Sequence, residues 1–158
     1  YAVASFGVKN YPVLYRNKGN WTFANVTAAE KIPNLPPTYQ AAWADIDNDG
    51  DLDLCTAGKL FVNEGTKHNW IELTLEGDGR KVNRSAIGAT VRIQIGKQTL
   101  TRHVEPATGQ GNQNDLRLHF GLGTHKDPVT IDIVWPGGHK QQVKALAINK
   151  LHRIGFQK

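Results

Sequence analysis

The segment AAWADIDNDGDLDLCTAG, Ala41 to Gly58, sets five aspartates within nine positions and then runs directly into an apolar stretch. Carboxylates at that density repel one another, raise their pKa values and cost stability unless a cation stands among them. Asp45, Asp47 and Asp49 fall at positions one, three and five of a loop, Gly50 at six, Asp51 at seven and Asp53 at nine. Hard oxygen donors at alternating positions suit an ion of calcium's size, and a glycine at six permits the sharp turn. Asp51 would contribute its backbone carbonyl, and Asp53 would close the shell. A helix-flanked loop of this kind ends in a bidentate Glu at position twelve, but that position is Thr56 and both flanks read as strand. The expectation is a strand–loop–strand Ca2+ site built from Asp45, Asp47, Asp49, Asp51 and Asp53. Magnesium fits less well because it gives up water reluctantly and demands near-octahedral geometry. The alternative is a solvated acidic turn that holds no metal.

The remainder of the chain reads as strand. ATVRIQI (89–95) alternates small or apolar residues with Thr90, Arg92 and Gln94, the period of a half-buried strand. VTIDIVW places Val129, Ile131, Ile133 and Trp135 on one face, LRLHF does so with Leu116, Leu118 and Phe120, and WIELTL with Ile71, Leu73 and Leu75. Gly77-Asp78-Gly79, Gly109-Gln110-Gly111 and Pro136-Gly137-Gly138 mark turns between them. Short helical turns have room only at Ala28 to Lys31 and Val143 to Lys150. There is also an internal echo: VLYRNKG (13–19) returns as KLFVNEG (59–65), and YAVASFG stands before the first copy where LDLCTAG stands before the second. The spacing of the two copies suits one four-stranded propeller blade. The expected fold is all-β: partial propeller-like blades with a strand-flanked calcium loop, followed by a small antiparallel β-sandwich-like domain.

Cys55 is the single cysteine, so no intrachain disulfide can form, and its apolar flanks suggest core filling. No run approaches the length of a membrane span and no signal peptide is recognisable. The absence of Met and the start at Tyr1 suggest a processed or partial chain. Net charge is +5 although five of the fourteen acids sit in the one loop, and Lys140, Lys144, Lys150, Arg153 and Lys158 crowd the C-terminal end. A basic surface could attract an anionic polysaccharide or nucleic acid, but no DNA- or RNA-binding motif supports the latter. No paired histidine spacing supports zinc. His119 with Asp115 four residues earlier could be read as a base with an acid, yet neither Ser5 nor Ser85 lies in a nucleophile context. His119 reads better as a hydrogen-bonding residue that fixes the glycine turn after it. Trp43, Trp70 and Trp135 are expected in the core and Trp21 at the surface, where an aromatic face could stack on a sugar. Asn20, Asn25 and Asn83 open glycosylation sequons.

These segments carry a resemblance. LYRNKGNWTFANVTAAE with AAWADIDNDGDLDL and LFVNEG resembles the FG-GAP or VCBS repeat of integrin-type propellers, in the form that accompanies an ASPIC/UnbV domain. NWIELTLEG, NRSAIGATVRI, LRLHFGLG and IDIVWPGGHKQQV are similar to ASPIC/UnbV itself, with HFGLG and WPGG the most specific pieces. The resemblance covers nearly the whole chain and divides it into a repeat region, residues 1–66, and a β domain, residues 67–158. It departs from the pattern in holding about one and a half blades and in having GQGNQND before LRLHFGLG. It implies an extracellular or cell-surface protein associated with adhesion and matrix, with no agreed catalytic role, hence binding or scaffolding rather than chemistry.

Three readings follow. In the first, the chain is a secreted, non-catalytic, calcium-stabilised interaction or assembly module, in the extreme a self-assembling subunit of an extracellular filament or sheath. Its unpaired strand edges would be covered by neighbouring copies or by the missing blades of a longer parent. In the second, it is a fragment of a larger surface propeller that binds glycans or proteins. In the third, it is an accessory or hydrolytic enzyme domain.

Overall fold

The computed structural model describes residues 11–32, 35–65, 67–109 and 111–157. The strand-like opening YAVASFG lies outside them, as do Gln110 of one expected turn and Lys158. The described residues form twelve strands and no helix. These are β1 (Tyr15–Gly19), β2 (Thr22–Asn25), β3 (Ala41–Ala44), β4 (Asp53–Thr56), β5 (Lys59–Phe61), β6 (Asn69–Glu76), β7 (Thr90–Ile95), β8 (Gln98–His103), β9 (Leu118–Gly123), β10 (Val129–Val134), β11 (Lys140–Leu146) and β12 (Leu151–Gly155).

Seven of them build the C-terminal part as two facing sheets, ordered β11-β10-β7-β8 and β12-β6-β9. Period-two alternation sends Val91 and Ile93 of β7, Val129, Ile131 and Ile133 of β10, Ile71, Leu73 and Leu75 of β6, and Leu118, Phe120 and Leu122 of β9 into one core. Trp135, just after β10, closes it with a 1% exposed ring whose Nε1–H donates to Gln141 Oε1 at 3.0 Å and which makes a T-shaped contact with Phe156, ring centroids 5.4 Å apart. Every pair in these sheets is antiparallel except β12 with β6, which run parallel. The sandwich is therefore mixed at that single junction.

The N-terminal part holds the hairpin β1-β2 and the three-stranded antiparallel sheet β3-β4-β5. The sequence echo is visible in the chain path: Asn17 and Asn63 each accept, through Oδ1, the N–H of the glycine two residues on, and both glycines have positive φ, 84° at Gly19 and 92° at Gly65. This Asx turn is what the repeated Asn-x-Gly encodes.

Two expectations are corrected. Val143 to Lys150 does not begin as a helical turn, because residues through Leu146 belong to β11 and pair with β10. Cys55 is exposed rather than core filling, since the alternation that buries Leu54 and Thr56 of β4 turns the residue between them outward. Ala28 to Lys31 does make one tight turn, with Glu30 N–H donating to Val26 O at 2.9 Å.

Candidate metal centre

The acidic loop leaves β3 at Ala44 and enters β4 at Asp53. Asp45 is fully buried, and its two carboxylate oxygens accept the N–H groups of Asp49 (3.2 Å) and Gly50 (2.9 Å). Asp47 Oδ1 accepts Asp49 N–H at 3.3 Å and Asp49 Oδ1 accepts Asp51 N–H at 2.9 Å. The chain is thereby wound so that carboxylate oxygens of Asp45, Asp47 and Asp49 lie within 4.8 Å of one another, the first buried and the other two exposed. Lost hydration, then the negative charges of Asp49, Asp53 and Asp45, hold the Asp47 carboxyl above its ordinary pKa, with the Asp49 N–H opposing. A divalent cation would relieve that repulsion, and three hard oxygens converging from alternating positions fit calcium.

Asp53 does not join this group. Its carboxylate is buried and accepts Ile46 N–H through Oδ2 and Asn63 N–H through Oδ1, both at 2.8 Å. It ties the loop's start to the chain leaving β5. Asp51 lies at the outer side of the loop, its Oδ2 facing Gly65.

The loop rests on the outward face of the sheet β12-β6-β9, contributed by residues that alternate with the core positions. Gly50, at φ 96°, lies against the indole of Trp70 so closely that a Cβ there would fall 1.9 Å from Nε1, which no other residue could satisfy. His119 Nε2 meets Gly50 O at 2.6 Å. Arg117 donates through Nη2 to Asp45 O and through Nη1 to Asn48 Oδ1 (2.8 Å) and Glu72 Oε2 (3.1 Å), and through Nε to Asp115 Oδ2 (2.5 Å). Burial would lower the Arg117 pKa, but the Asp115 hydrogen bond and the charges of Glu72, Asp115 and Asp45 more than reverse this. Glu72, 1% exposed, pairs in register with His119 across β6 and β9, and burial pushes its carboxyl up to about 7 against the pull of Arg117. A cleft of about 290 Å³, lined among others by Trp43, Glu72, Arg102, Asp115, Arg117 and His119, follows this seam.

His119 thus does hydrogen-bond, but to the acidic loop rather than to the glycine turn that follows it. Asp115 is spent on Arg117, so the two do not form an acid–base pair. Trp135 is core, Trp21 is 93% exposed, and Trp70 and Trp43 are half-buried at the seam instead of inside the sandwich. Among the sequons, Asn20 sits at the exposed tip of the hairpin β1-β2 and Asn25 is exposed with Oδ1 accepting Thr27 N–H and Oγ–H. Asn83 uses its whole amide to grip Ile87 N–H and C=O, both at 2.9 Å. Sequence reasoning did not find Arg117, Glu72 or Trp70 as parts of the site; their signal was alternation alone, polar or aromatic residues between buried ones.

No curated protein and no solved structure gives a significant match to the chain. Residues 2–56 match the FG-GAP-like repeat family and residues 79–158 match the ASPIC and UnbV family. The first match ends within β4, just past the acidic loop, and the second contains the seam residues Arg117 and His119. With a repeat carrying the loop and a sandwich supporting it, the chain belongs to the ASPIC and UnbV family, preceded by an FG-GAP-like repeat.

Proposed function

We propose that this chain is an extracellular, calcium-stabilised, non-catalytic β module that serves interaction or assembly. The observation that carries the reading is the convergence of Asp45, Asp47 and Asp49 in a loop of an FG-GAP-like repeat, a family of propeller blades that often bind calcium and are typically extracellular. Those three side chains would hold the ion, which would neutralise their repulsion and pin β3 to β4. Asp51 would add its carbonyl, and Asp53 would keep the loop closed beneath. Asp115 and His119, the acid and base the sequence offers, are each committed to another partner, which favours a binding role over hydrolysis. No helix of the described residues is long and apolar enough to cross a membrane.

Calorimetry tests the reading. Calcium at a hundredfold excess over its dissociation constant should stabilise the protein by about 2.7 kcal/mol, raising Tm by roughly 5–10 °C in a chain of this size. Asp47→Asn should abolish most of the rise, because Asp47 is exposed and contributes one hydrogen bond, at 3.3 Å, to the apo loop. A melting curve indifferent to calcium and chelator would refute it. The second reading, a unit of a larger surface propeller that binds glycans or proteins, draws on the hairpin β1-β2, which exposes Tyr15, Trp21 and Phe23.

A further inference from the structure

The C-terminal domain grips the acidic loop at its backbone and at the Asn48 side chain. Its contacts fall at loop positions one, four and six: Arg117 on Asp45 O and Asn48 Oδ1, and His119 and Trp70 on Gly50. The carboxylates that converge project from positions one, three and five. Support and donors are therefore interleaved along the same six residues. Asn48 has φ 62°, in the left-handed region that Asn tolerates better than most residues, and its side chain accepts the Arg117 guanidinium N–H. We propose that Arg117, backed by His119 and Trp70, is a positioning residue for the metal loop, so that the repeat supplies the calcium ligands and the ASPIC/UnbV domain sets their geometry. The inference rests on the calcium reading above. Because binding free energies are reciprocal, an ion bound in the loop would in turn strengthen the docking of the two parts.

Charge and geometry make opposite forecasts. A guanidinium near a cation site repels the cation, so if Arg117 acted through charge alone its removal would tighten calcium binding. As a positioning group it must instead be needed, and its fork matters: Lys keeps the charge but cannot span Asp45 O, Asn48, Glu72 and Asp115 together.

Calcium titration of the full chain by isothermal calorimetry separates these. Arg117→Lys and Arg117→Gln should each weaken calcium binding about tenfold, the lower end of what loss of an outer support costs a metal site. Asn48→Gly, which accepts the same φ and removes only the bridge, should weaken it in the same direction and serves if the Arg117 variants do not fold. In chelator, the amides of Asp49, Gly50 and Asp51 should exchange hydrogen faster in Arg117→Lys than in the wild type. Calcium affinity of Arg117→Lys or Asn48→Gly within twofold of wild type, tighter binding by Arg117→Gln, or unchanged loop exchange would each overturn the inference while leaving the calcium reading intact. A wild-type chain that binds no calcium would remove both.

Discussion

Glu72 shows how a single residue can look ordinary in sequence and be costly in structure. In WIELTL it occupies a polar position between Ile71 and Leu73, the slot that normally faces water, yet the acidic loop and Arg117 cover it. Burial, partly offset by Arg117 and reinforced by Asp45 and Asp115, raises its pKa from 4.5 to about 7. An acid whose folded pKa exceeds its unfolded value holds a proton in the native state that the unfolded chain has released. Its contribution is therefore favourable at low pH and is lost as pH rises from about 4.5 through about 7. In chelator, the wild type should lose stability relative to Glu72→Gln across that window, as read by urea unfolding at a series of pH values. Parallel curves for the two proteins would mean that Glu72 titrates normally. The convergence of Asp45, Asp47 and Asp49, by contrast, was legible because alternating positions of a tight loop bring their carboxylates together. Spacing did not report that the Asp53 oxygens also accept the N–H groups of Ile46 and Asn63.

At the scale of elements, alternation told strand from helix and named most of the sandwich core, since each apolar run of β6, β9 and β10 has only one side on which to be buried. It could not say what lies on the other side. The residues that cover Trp70, Glu72, Arg117 and His119 come from a loop distant in the chain, and nothing in a strand's own period reports that. β11 was missed for a related reason: it is an edge strand whose partly buried Gln141 and Val143 carry a weak pattern, and Ala145 at φ 56° falls where its pairing with β10 shifts register. The hairpin β1-β2 supplies a prediction of its own. Its two-residue tip, Asn20 and Trp21, has φ 48° and 57°, the double left-handed turn that suits Asn and Gly. A bulky side chain held there costs roughly 1–2 kcal/mol, and an indole 93% exposed recovers little of it by burial. Trp21→Gly should therefore raise stability by about 1 kcal/mol, measured by thermal melting. A loss of stability would instead mean that the indole makes contacts worth more than the strain.

For the whole molecule, the strand edges decide between a self-sufficient unit and one that needs company. One edge of the sheet β3-β4-β5 is already closed: Asn112 Nδ2 donates to Ala41 O, Trp43 N–H to Asn114 Oδ1, and Asp115 N–H to Trp43 O, so residues 112–115 act as a cap on β3. The opposite edge, β5, pairs with no further strand among the described residues; Leu60 within it and Val62 just after it are 49% and 52% exposed. An uncapped edge flanked by apolar side chains is a template for another strand, and addition of the same surface to a different one on the next copy would extend without closing. If the module assembles through β5, sedimentation velocity in saturating calcium should show species larger than the 17.5 kDa monomer that grow with concentration. Leu60→Lys, which places a charge on that edge without touching Asp45, Asp47 or Asp49, should return the protein to monomer while its calcium affinity stays unchanged. A wild type that remains monomeric at all concentrations would exclude self-assembly through this edge.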